Sequence, residues 1–316
     1  MPADLNLAHL RELAVRLAHA AGEELLARQQ SLSIDADGVE TKSSASDPVS
    51  AADRASEKLI TDGITTARPG DGLLGEEGAS RPSTTGLTWV IDPLDGTVNY
   101  LYGRPDWCVS IAVEDEQGAL IGVVHQPRTN TTWQATRTAG SYRTTSSSST
   151  TSSSSTAGSY RTDPPPYQTV WYADSPTHRS PEPPYQTVWY GERRLRVGEG
   201  RREVGLAEAL VCTGFSYLPD RRAEQAEHLR RVLPAVRDIR RGGSAALDLC
   251  SVADGTADAY YEHVIQPWDI AAGALIAREA GATVVRDPAF PQGILAAAPT
   301  VAEPLRELLT TTRRQE

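Results

Sequence analysis

The spacing of hydrophobic residues predicts where helices lie along the chain. Residues 4–29 carry leucine or alanine at every third or fourth position, which predicts an amphipathic helix with one apolar side. Those positions are Leu7, Leu10, Leu13, Leu17, Ala21 and Leu25. Residues 51–64 predict a second helix that follows a polar loop. Residues 273–285 predict a helix, a glycine that stops it, and a strand.

Shorter apolar runs predict strands. Residues 88–97, TWVIDPLDGT, predict a short buried strand ended by a proline and a glycine. Residues 107–115 and 119–127 predict two further strands joined by a Gln-Gly turn. Because helices and strands mix along the whole chain, the predicted fold class is α/β or α+β.

Residues 144–190 follow neither pattern. Residues 144–156 are all Ser or Thr, and the segments AGSYRT and PPYQTVWY each occur twice at an offset of 18 residues. Such a composition cannot form a packed core by itself, so we expect a disordered, low-complexity insertion at the surface. The alternative is that its aromatic residues form an interaction patch. These residues are Tyr167, Trp171, Tyr185 and Trp189.

Composition narrows the classes of function. The chain has 41 Asp and Glu against 31 Lys and Arg, a formal net charge of −10, which argues against a nucleic-acid partner. No apolar run approaches the roughly 18 residues that a membrane span needs. The three cysteines, Cys108, Cys212 and Cys250, form no CxxC pair. They favour a reduced, cytoplasmic setting without disulfides.

Acidic residues supply the candidate chemistry. They occur in the segments GEEG (Glu76, Glu77), DPLDG (Asp92, Asp95), QPWDIAAG (Asp269) and SDPVSAADR (Asp47, Asp53). Carboxylates that converge must be neutralised, and a site without His or Cys favours hard cations, Mg²⁺ above all. A helix that begins at Gly96-Thr97 would present backbone N–H groups to a phosphate. The pattern therefore indicates metal-dependent chemistry on phosphate esters.

These motifs together resemble the inositol monophosphatase family. DPLDGTVNY and WDIAAGALIAREAGATVV are similar to its two signatures, with GEEG and TKSSASDPVSAADRASEKLI in the right order upstream. The resemblance covers nearly all of the chain outside residues 144–190. It implies one domain over residues 1–316, built of two packed halves with α-β-α-β-α layers and usually found as a homodimer. The insertion falls where the family has a short hairpin, and either copy of GSYR fits the strand there.

The resemblance also implies hydrolysis of a phosphate monoester with two or three Mg²⁺ ions, inhibited by Li⁺. The implied metal ligands are Glu76, Asp92, the Leu94 carbonyl, Asp95 and Asp269. Glu76 also belongs to the implied catalytic set with Thr97 and Asp53, which would orient and help deprotonate the attacking water. Lys42 would lie in a flexible loop near the site, and Glu77 and Asp47 match positions less directly involved.

The implied substrate contacts lie around the same motifs. They are Asp95, Gly96, Thr97, Gly243, Ser244, Ala245, Glu262 and Asp269. Gly96 and Thr97 would hold phosphate oxygens, and Glu262 would accept hydrogen bonds from ring hydroxyls. Glu262 and the segment GSAALDLC favour inositol-1-phosphate as the substrate.

Two kinds of alternative stay open. Enzymes of the same fold act on histidinol phosphate, fructose 1,6-bisphosphate or 3′-phosphoadenosine nucleotides. A protein of another class, a non-catalytic regulator or scaffold, would have lost at least one of the implied ligands, and none is lost. His125 and His263 stand alone in the sequence, and we assign them no role.

Overall fold

The computed structural model describes most of the chain. The described residues are 6–29, 39–41, 48–145, 190–198, 203–287 and 293–310. Outside them lie the two predicted site residues Lys42 and Asp47. The four aromatic residues Tyr167, Trp171, Tyr185 and Trp189 also lie outside, with the second copy of GSYR.

Seven α-helices lie in the described residues. They are α1 (Leu7–Gln29), α2 (Ala51–Ala67), α3 (Thr97–Leu101), α4 (Pro219–Val232), α5 (Ala245–Asp254), α6 (Pro267–Glu279) and α7 (Pro299–Thr310). The helices predicted from the hydrophobic spacing correspond to α1, α2 and α6. None of the described helices is both long and apolar enough to cross a membrane.

The described strands form three sheets. Strands β1 to β8 are Val39–Thr41, Pro48–Ser50, Gly72–Gly75, Ser80–Arg81, Thr88–Asp95, Cys108–Asp115, Gly118–Gln126 and Thr131–Thr136. Strands β9 to β15 are Gly140–Thr145, Tyr190–Arg194, Leu210–Thr213, Asp238–Arg240, Ala259–Glu262, Thr283–Val285 and Ile294–Ala297. The large sheet has the order β10-β9-β8-β7-β6-β5-β3-β4, the smaller one β12-β11-β13-β15-β14, and β1 pairs with β2.

The large sheet is antiparallel except where β3 pairs with β5. The smaller sheet is mixed, because β11 runs parallel to both β12 and β13. The predicted strands at residues 88–97, 107–115 and 119–127 correspond to β5, β6 and β7. Their turn is Gln117-Gly118, as expected.

Helices and sheets stack in five layers, which confirms the expected α-β-α-β-α order. Alternate residues of β5 show how the sheet separates the layers: Trp89 and Ile91 pack against α1 and α2, whereas Val90 packs against α5 and α6. The other side of the α5–α6 layer contacts the smaller sheet through residues such as Tyr260. Helices α4 and α7 cover the far face of that sheet. Since both faces of β5 are covered, its apolar run is continuous rather than alternating.

Helix α1 packs much as its leucine spacing predicts. Leu10, Leu13, Ala21 and Leu25 are buried, whereas Leu17 is only partly buried. The buried side turns through Ala14 and Ala18 instead, because those small side chains let the helix lie close to the sheet.

The predicted insertion begins later than its composition suggests. Thr144 and Thr145 continue β9, and Tyr190 begins β10 and pairs with Thr145. Threonine is favoured in β-strands, so the first two residues of the Ser/Thr run form the end of β9. The strand next to β8 is the first copy of GSYR, residues 140–143.

Two histidines pair between α1 and the large sheet, with His125 buried and His19 half-buried. The rings of His19 and His125 stack with centroids 3.9 Å apart. His19 Nε2 and His125 Nδ1 each lie 3.0 Å from the Thr132 hydroxyl oxygen. His125 is therefore not isolated in the fold. Burial lowers the pKa of His19 to about 4, and burial followed by the charge of His19 lowers the pKa of His125 well below its usual value.

This pair predicts acid sensitivity. Below about pH 6.5 the unfolded chain binds protons that the folded pair excludes, so the free energy of unfolding falls between pH 6.5 and 4. Each histidine contributes a slope of at most about 1.4 kcal/mol per pH unit. We predict that His19→Gln reduces this slope in urea unfolding. The exposed His9 offers the control His9→Gln, and equal slopes in the two variants would contradict the prediction.

Candidate active site: an acidic cluster

A bulge in β5 brings Asp92 and Asp95 to the same side of the sheet. Residues three apart in a regular strand face opposite sides. Here Asp92 lies opposite Ser110 and Asp95 opposite Cys108, so β5 has one more residue than β6 between these two pairs. Such a bulge redirects side chains. The strand therefore continues through Pro93 to Asp95, where the sequence predicts that the proline ends it.

Each aspartate accepts hydrogen bonds from nearby donors. The backbone N–H of Leu94 donates to Asp92 Oδ1 at 3.0 Å. Asp95 Oδ2 accepts from the Ser244 hydroxyl at 2.6 Å and from the Ala246 amide at 2.7 Å, both at the start of α5. These bonds connect the large sheet to the helix layer between the two sheets.

Asp269 reaches the cluster from the first turn of α6. Its Oδ2 accepts a hydrogen bond from the Gln266 amide at 2.8 Å. A carboxylate at a helix N-terminus is favoured by the helix dipole and by the unpaired amides there. Helix α6 therefore holds Asp269 facing Asp95 and Glu76, whose charges raise its pKa.

Burial first, and then mutual repulsion, raises the pKa values of the clustered aspartates. The pKa of Asp92 lies well above its ordinary value because of burial first, and then because of the charges of Glu76, Asp95, Asp269 and Asp53. Burial raises the pKa of Asp95 to about 6, although the Ser244 and Ala246 donors oppose the shift. Burial also raises the pKa of Asp269 well above its usual range. The cluster thus joins β5, α2, α6 and the end of β3.

The cluster has the chemistry of a site for hard divalent cations. Its donors are carboxylate oxygens, and a cation among them would relieve the repulsion. The Ser110 hydroxyl, opposite Asp92 in the ladder, is buried and has no hydrogen-bond partner in the described part of the chain. Within the same ranges, no three acidic, His or Cys side chains are grouped so as to hold an ion as they stand. Instead, Asp92, Asp95 and Asp269 accept protein N–H and O–H donors.

Helix α3 begins beside the cluster at Thr97. The Thr97 hydroxyl donates to the Leu94 carbonyl oxygen at 3.1 Å, which brings these two predicted site residues together. Gly96 before the helix has φ of +92°, and a Cβ there would lie 2.8 Å from the Asp106 carbonyl oxygen. Only glycine combines that backbone with that clearance. The helix itself is short, Thr97–Leu101.

Glu262 lies at the end of β13, on the α5 side of the cluster. Its Oε2 accepts a hydrogen bond from the Tyr260 hydroxyl at 2.8 Å. Burial raises its pKa to about 7, and the charge of Asp95 adds to the shift. A Cβ on Gly214 would collide with its carboxylate. Val264, two residues further on, has φ of +65°, which is rare for a β-branched residue, and it turns the chain towards α6.

The segment Gly243–Ala245 joins the two sides of the candidate site. Gly243 has φ of +96° and lies next to the Arg241 and Asn99 side chains. The Asn99 amide in turn donates to the Gly242 carbonyl at 2.9 Å. Ser244 is the N-cap of α5 and accepts from the Leu247 amide. The Ser244 hydroxyl therefore serves both the helix start and Asp95.

Comparison with known proteins shows the family to which the chain belongs. The profile of the inositol monophosphatase family matches residues 6–171 and 186–314. The protein named inositol-1-monophosphatase SuhB of Mycobacterium tuberculosis (strain ATCC 25618 / H37Rv) is 38% identical over 326 aligned positions, 98% of this chain and 96% of that protein. The chain belongs to the inositol monophosphatase family.

Two further similarities extend this assignment. The solved structure of Mycobacterium tuberculosis SuhB has a TM-score of 0.70 at 36% identity, and the match covers 97% of each chain. The protein named Nus factor SuhB of Xylella fastidiosa is 35% identical over 75% of this chain and 68% of that protein. The break in the family match lies inside the predicted insertion. The resemblance seen in the motifs is confirmed.

Sequence reasoning missed residues that hold the family motifs in place. On α2, the Ser56 hydroxyl donates to the Pro93 carbonyl oxygen at 2.9 Å. Glu57 accepts from the amides of Glu77 and Ala79 at 2.8 and 3.0 Å. A signal was present, because Ser56 and Glu57 are polar positions on the face of α2 that also carries Ile60 and Ile64. Polar side chains on a buried helix face need specific partners.

The double role of Ser244 predicts a large cost for its removal. Ser244→Ala removes the α5 N-cap and the hydroxyl donor to the buried Asp95, so we expect a loss of about 1–2 kcal/mol in the free energy of unfolding. Ser251→Ala on the same helix is the control, because Ser251 only donates to the Leu247 carbonyl. Denaturant unfolding of both variants checks this, and equal losses would contradict it.

Proposed function

We propose that this member of the family hydrolyses a phosphate monoester with Mg²⁺, and that inositol-1-phosphate is its preferred substrate. The observation that carries the proposal is that the buried Asp92 and Asp95 and the half-buried Asp269 lie within reach of each other's charge and that of Glu76. Packing acidic side chains this closely is unfavourable without a cation. The name and 38% identity of the Mycobacterium relative support the substrate.

Five groups would hold the metal. They are the carboxylates of Glu76, Asp92, Asp95 and Asp269 and the carbonyl oxygen of Leu94. Mg²⁺ bound there, as two or three ions, would supply a water of lowered pKa and neutralise charge on the phosphate. Neighbouring donors would keep the carboxylates in place, since Leu94 N–H holds Asp92 and Ser244 holds Asp95.

Thr97 and Asp53 would handle the attacking water. The Thr97 hydroxyl lies at the start of α3, beside Asp95, and can orient a water by accepting its hydrogen bond. Asp53 lies in the first turn of α2, close enough for its charge to raise the pKa of Asp92. It would take up the proton, with Glu76 completing the catalytic set. The proposal needs no covalent phosphoenzyme, so attack is direct.

The phosphate of the substrate would lie at the start of α3, and its ring would lie near the start of α5 and the end of β13. The Gly96 and Thr97 amides would donate to phosphate oxygens, near Asp95 and Asp269. Gly243, Ser244 and Ala245 would lie along the ring. Glu262 would accept hydrogen bonds from ring hydroxyls, which a phosphate ester without them cannot offer.

Further expectations belong to the same proposal. We expect inhibition by Li⁺, a homodimer, and a cytoplasmic location. The relative in Xylella fastidiosa is named a Nus factor, which keeps a non-catalytic regulatory role as the second candidate. The intact acidic cluster favours catalysis, since a regulator has no need of charges that repel each other.

The metal assignment predicts the effect of Asp92→Asn. This change removes a charged ligand, and we expect phosphate release from inositol-1-phosphate with Mg²⁺ to fall by about 10³-fold. Asp62→Asn, an exposed acid paired with Lys58, is the matched control. Thermal unfolding and circular dichroism would show that both variants fold, and near-normal turnover by Asp92→Asn would refute the assignment.

A substrate panel tests the specificity. It contains inositol-1-phosphate, histidinol phosphate, fructose 1,6-bisphosphate and 3′-phosphoadenosine 5′-phosphate, each with and without Mg²⁺ and Li⁺. We expect Mg²⁺-dependent release led by inositol-1-phosphate. Another leading substrate would keep the reaction and change the specificity. No release by a folded protein would favour the regulatory role.

The variant Gly214→Ala tests whether Glu262 contacts the ring hydroxyls of the substrate. The added Cβ collides with the Glu262 carboxylate and must displace it. We expect KM for inositol-1-phosphate to rise about 10-fold or more, the value of hydrogen bonds to a charged group. KM for p-nitrophenyl phosphate, which has no ring hydroxyls, should change little. Gly205→Ala is the control, because a Cβ there meets nothing within 4 Å. Equal changes for both substrates would contradict this role.

A further inference from the structure

One turn of α2 holds both segments that carry the first two implied metal ligands, Glu76 and Asp92. Asp53, Ser56 and Glu57 are 1%, 0% and 7% exposed, and all three lie on the helix side that faces the acidic cluster. Ser56 fixes the Pro93 carbonyl, between Asp92 and Leu94. Glu57 fixes the loop after β3, where Glu76 lies. Ser56 and Glu57 are adjacent in the sequence, so a single helical turn sets the distance between the two segments that they hold.

Both carboxylate oxygens of Glu57 are used. Oε2 accepts from the Glu77 amide at 2.8 Å and Oε1 from the Ala79 amide at 3.0 Å. The loop closes on itself, because the Gly75 amide donates to the Ala79 carbonyl at 2.7 Å. A Cβ on Gly75 would collide with the Glu57 carboxylate. The loop backbone therefore lies directly against this side chain, and Glu76 lies between Gly75 and the first held amide, that of Glu77.

A carboxylate at position 57 carries a free-energy penalty. The Glu57 side chain is buried, and Glu76 and Glu77 add negative charge beside it. An apolar residue would pack into α2 without that penalty, but it would leave two amides without acceptors. Charge-assisted hydrogen bonds to two amides offset the penalty and fix the loop in one geometry.

We propose that Glu57 is a positioning residue which, by clamping the Glu77 and Ala79 amides, fixes Glu76 for binding a divalent cation. The cation part rests on the proposed function. Glu57 acts through the backbone of the loop, since both of its oxygens already accept amides. Outer partners of this kind typically change metal affinity by about 10–100-fold when they are removed.

The clamp and a simple charge effect predict different results for two variants. Glu57→Gln keeps one carbonyl acceptor and presents an NH₂ group to the other amide, whereas Glu57→Ala keeps no acceptor. Both remove the same charge. A charge effect therefore makes the two variants equal, and a clamp makes Glu57→Ala the weaker binder. Asp62→Asn is the control, since it removes an exposed charge from the same helix.

Two measurements on the full chain test the proposal. Amide hydrogen exchange at Glu77 and Ala79 should be at least about 10-fold faster in Glu57→Ala, and faster at one of the two amides in Glu57→Gln. Titration calorimetry with Mn²⁺ alone should show a dissociation constant about 10–100-fold higher in Glu57→Ala, with Glu57→Gln between it and the wild type. Asp62→Asn should match the wild type in both.

Each contrary outcome has a distinct meaning. Equal Mn²⁺ affinity in the wild type and both Glu57 variants would overturn the positioning role while leaving the proposed function intact. Equal losses in Glu57→Gln and Glu57→Ala would overturn it in favour of a charge effect. No Mn²⁺ binding by the wild type would overturn the proposed function and this inference together. Where Glu57→Ala does not fold, Glu57→Gln carries the test, and unchanged exchange at both amides overturns the clamp.

Discussion

The buried Asp92 and Asp95 repel each other and the neighbouring acidic residues, and the elements around them are arranged to offset that repulsion. Asp92 and Asp95 are buried, Asp269 is half-buried, and the three lie in each other's fields, which disfavours their charged forms. Donors from other elements limit the cost. The start of α5 supplies a hydroxyl and an amide to Asp95, and the start of α6 supplies an amide to Asp269. The cluster therefore exists only where the middle helix layer meets the bulged strand of the large sheet.

The outer helix layer also supplies hydrogen bonds that hold the acidic segments in place. Helix α2 packs on the other face of the large sheet, yet its first turns reach the ends of β3 and β5. The acidic side chains are thus held from both sides of one sheet. A loose attachment on either side would let repulsion spread the carboxylates apart, and the hydrogen bonds from Leu94, Ser56, Ser244 and Ala246 oppose this.

The predicted insertion enters the fold far from this cluster. It joins β9 to β10, and β10 is an edge strand separated from β5 by four strands. At about 4.8 Å per strand, five steps across the sheet place the join roughly 24 Å from the acidic strand. Long segments at such an edge add only a modest loop entropy, since the cost grows slowly with length.

The amino-acid sequence alone predicts several of the helices and strands and identifies the acidic motifs. Helical spacing located α1, α2 and α6, and apolar runs located β5, β6 and β7, because both signals lie within short stretches of the chain. The motifs around Asp92 and Asp269 sufficed for the family. Relations between distant segments become visible only in the folded chain. Examples are the bulge that brings Asp92 and Asp95 to one side, and the pairing of His19 with His125.

The contacts of the supporting residues Glu57 and Ser244 are also relations between distant segments. Nothing near Glu57 in the sequence indicates that its partners are the amides of Glu77 and Ala79, and Ser244 lies 149 residues from Asp95. Backbone donors carry no sequence signature, since every residue except proline has one. Which amides remain for a side chain to bind depends on how the chain folds around it, and that is decided by packing rather than by local pattern.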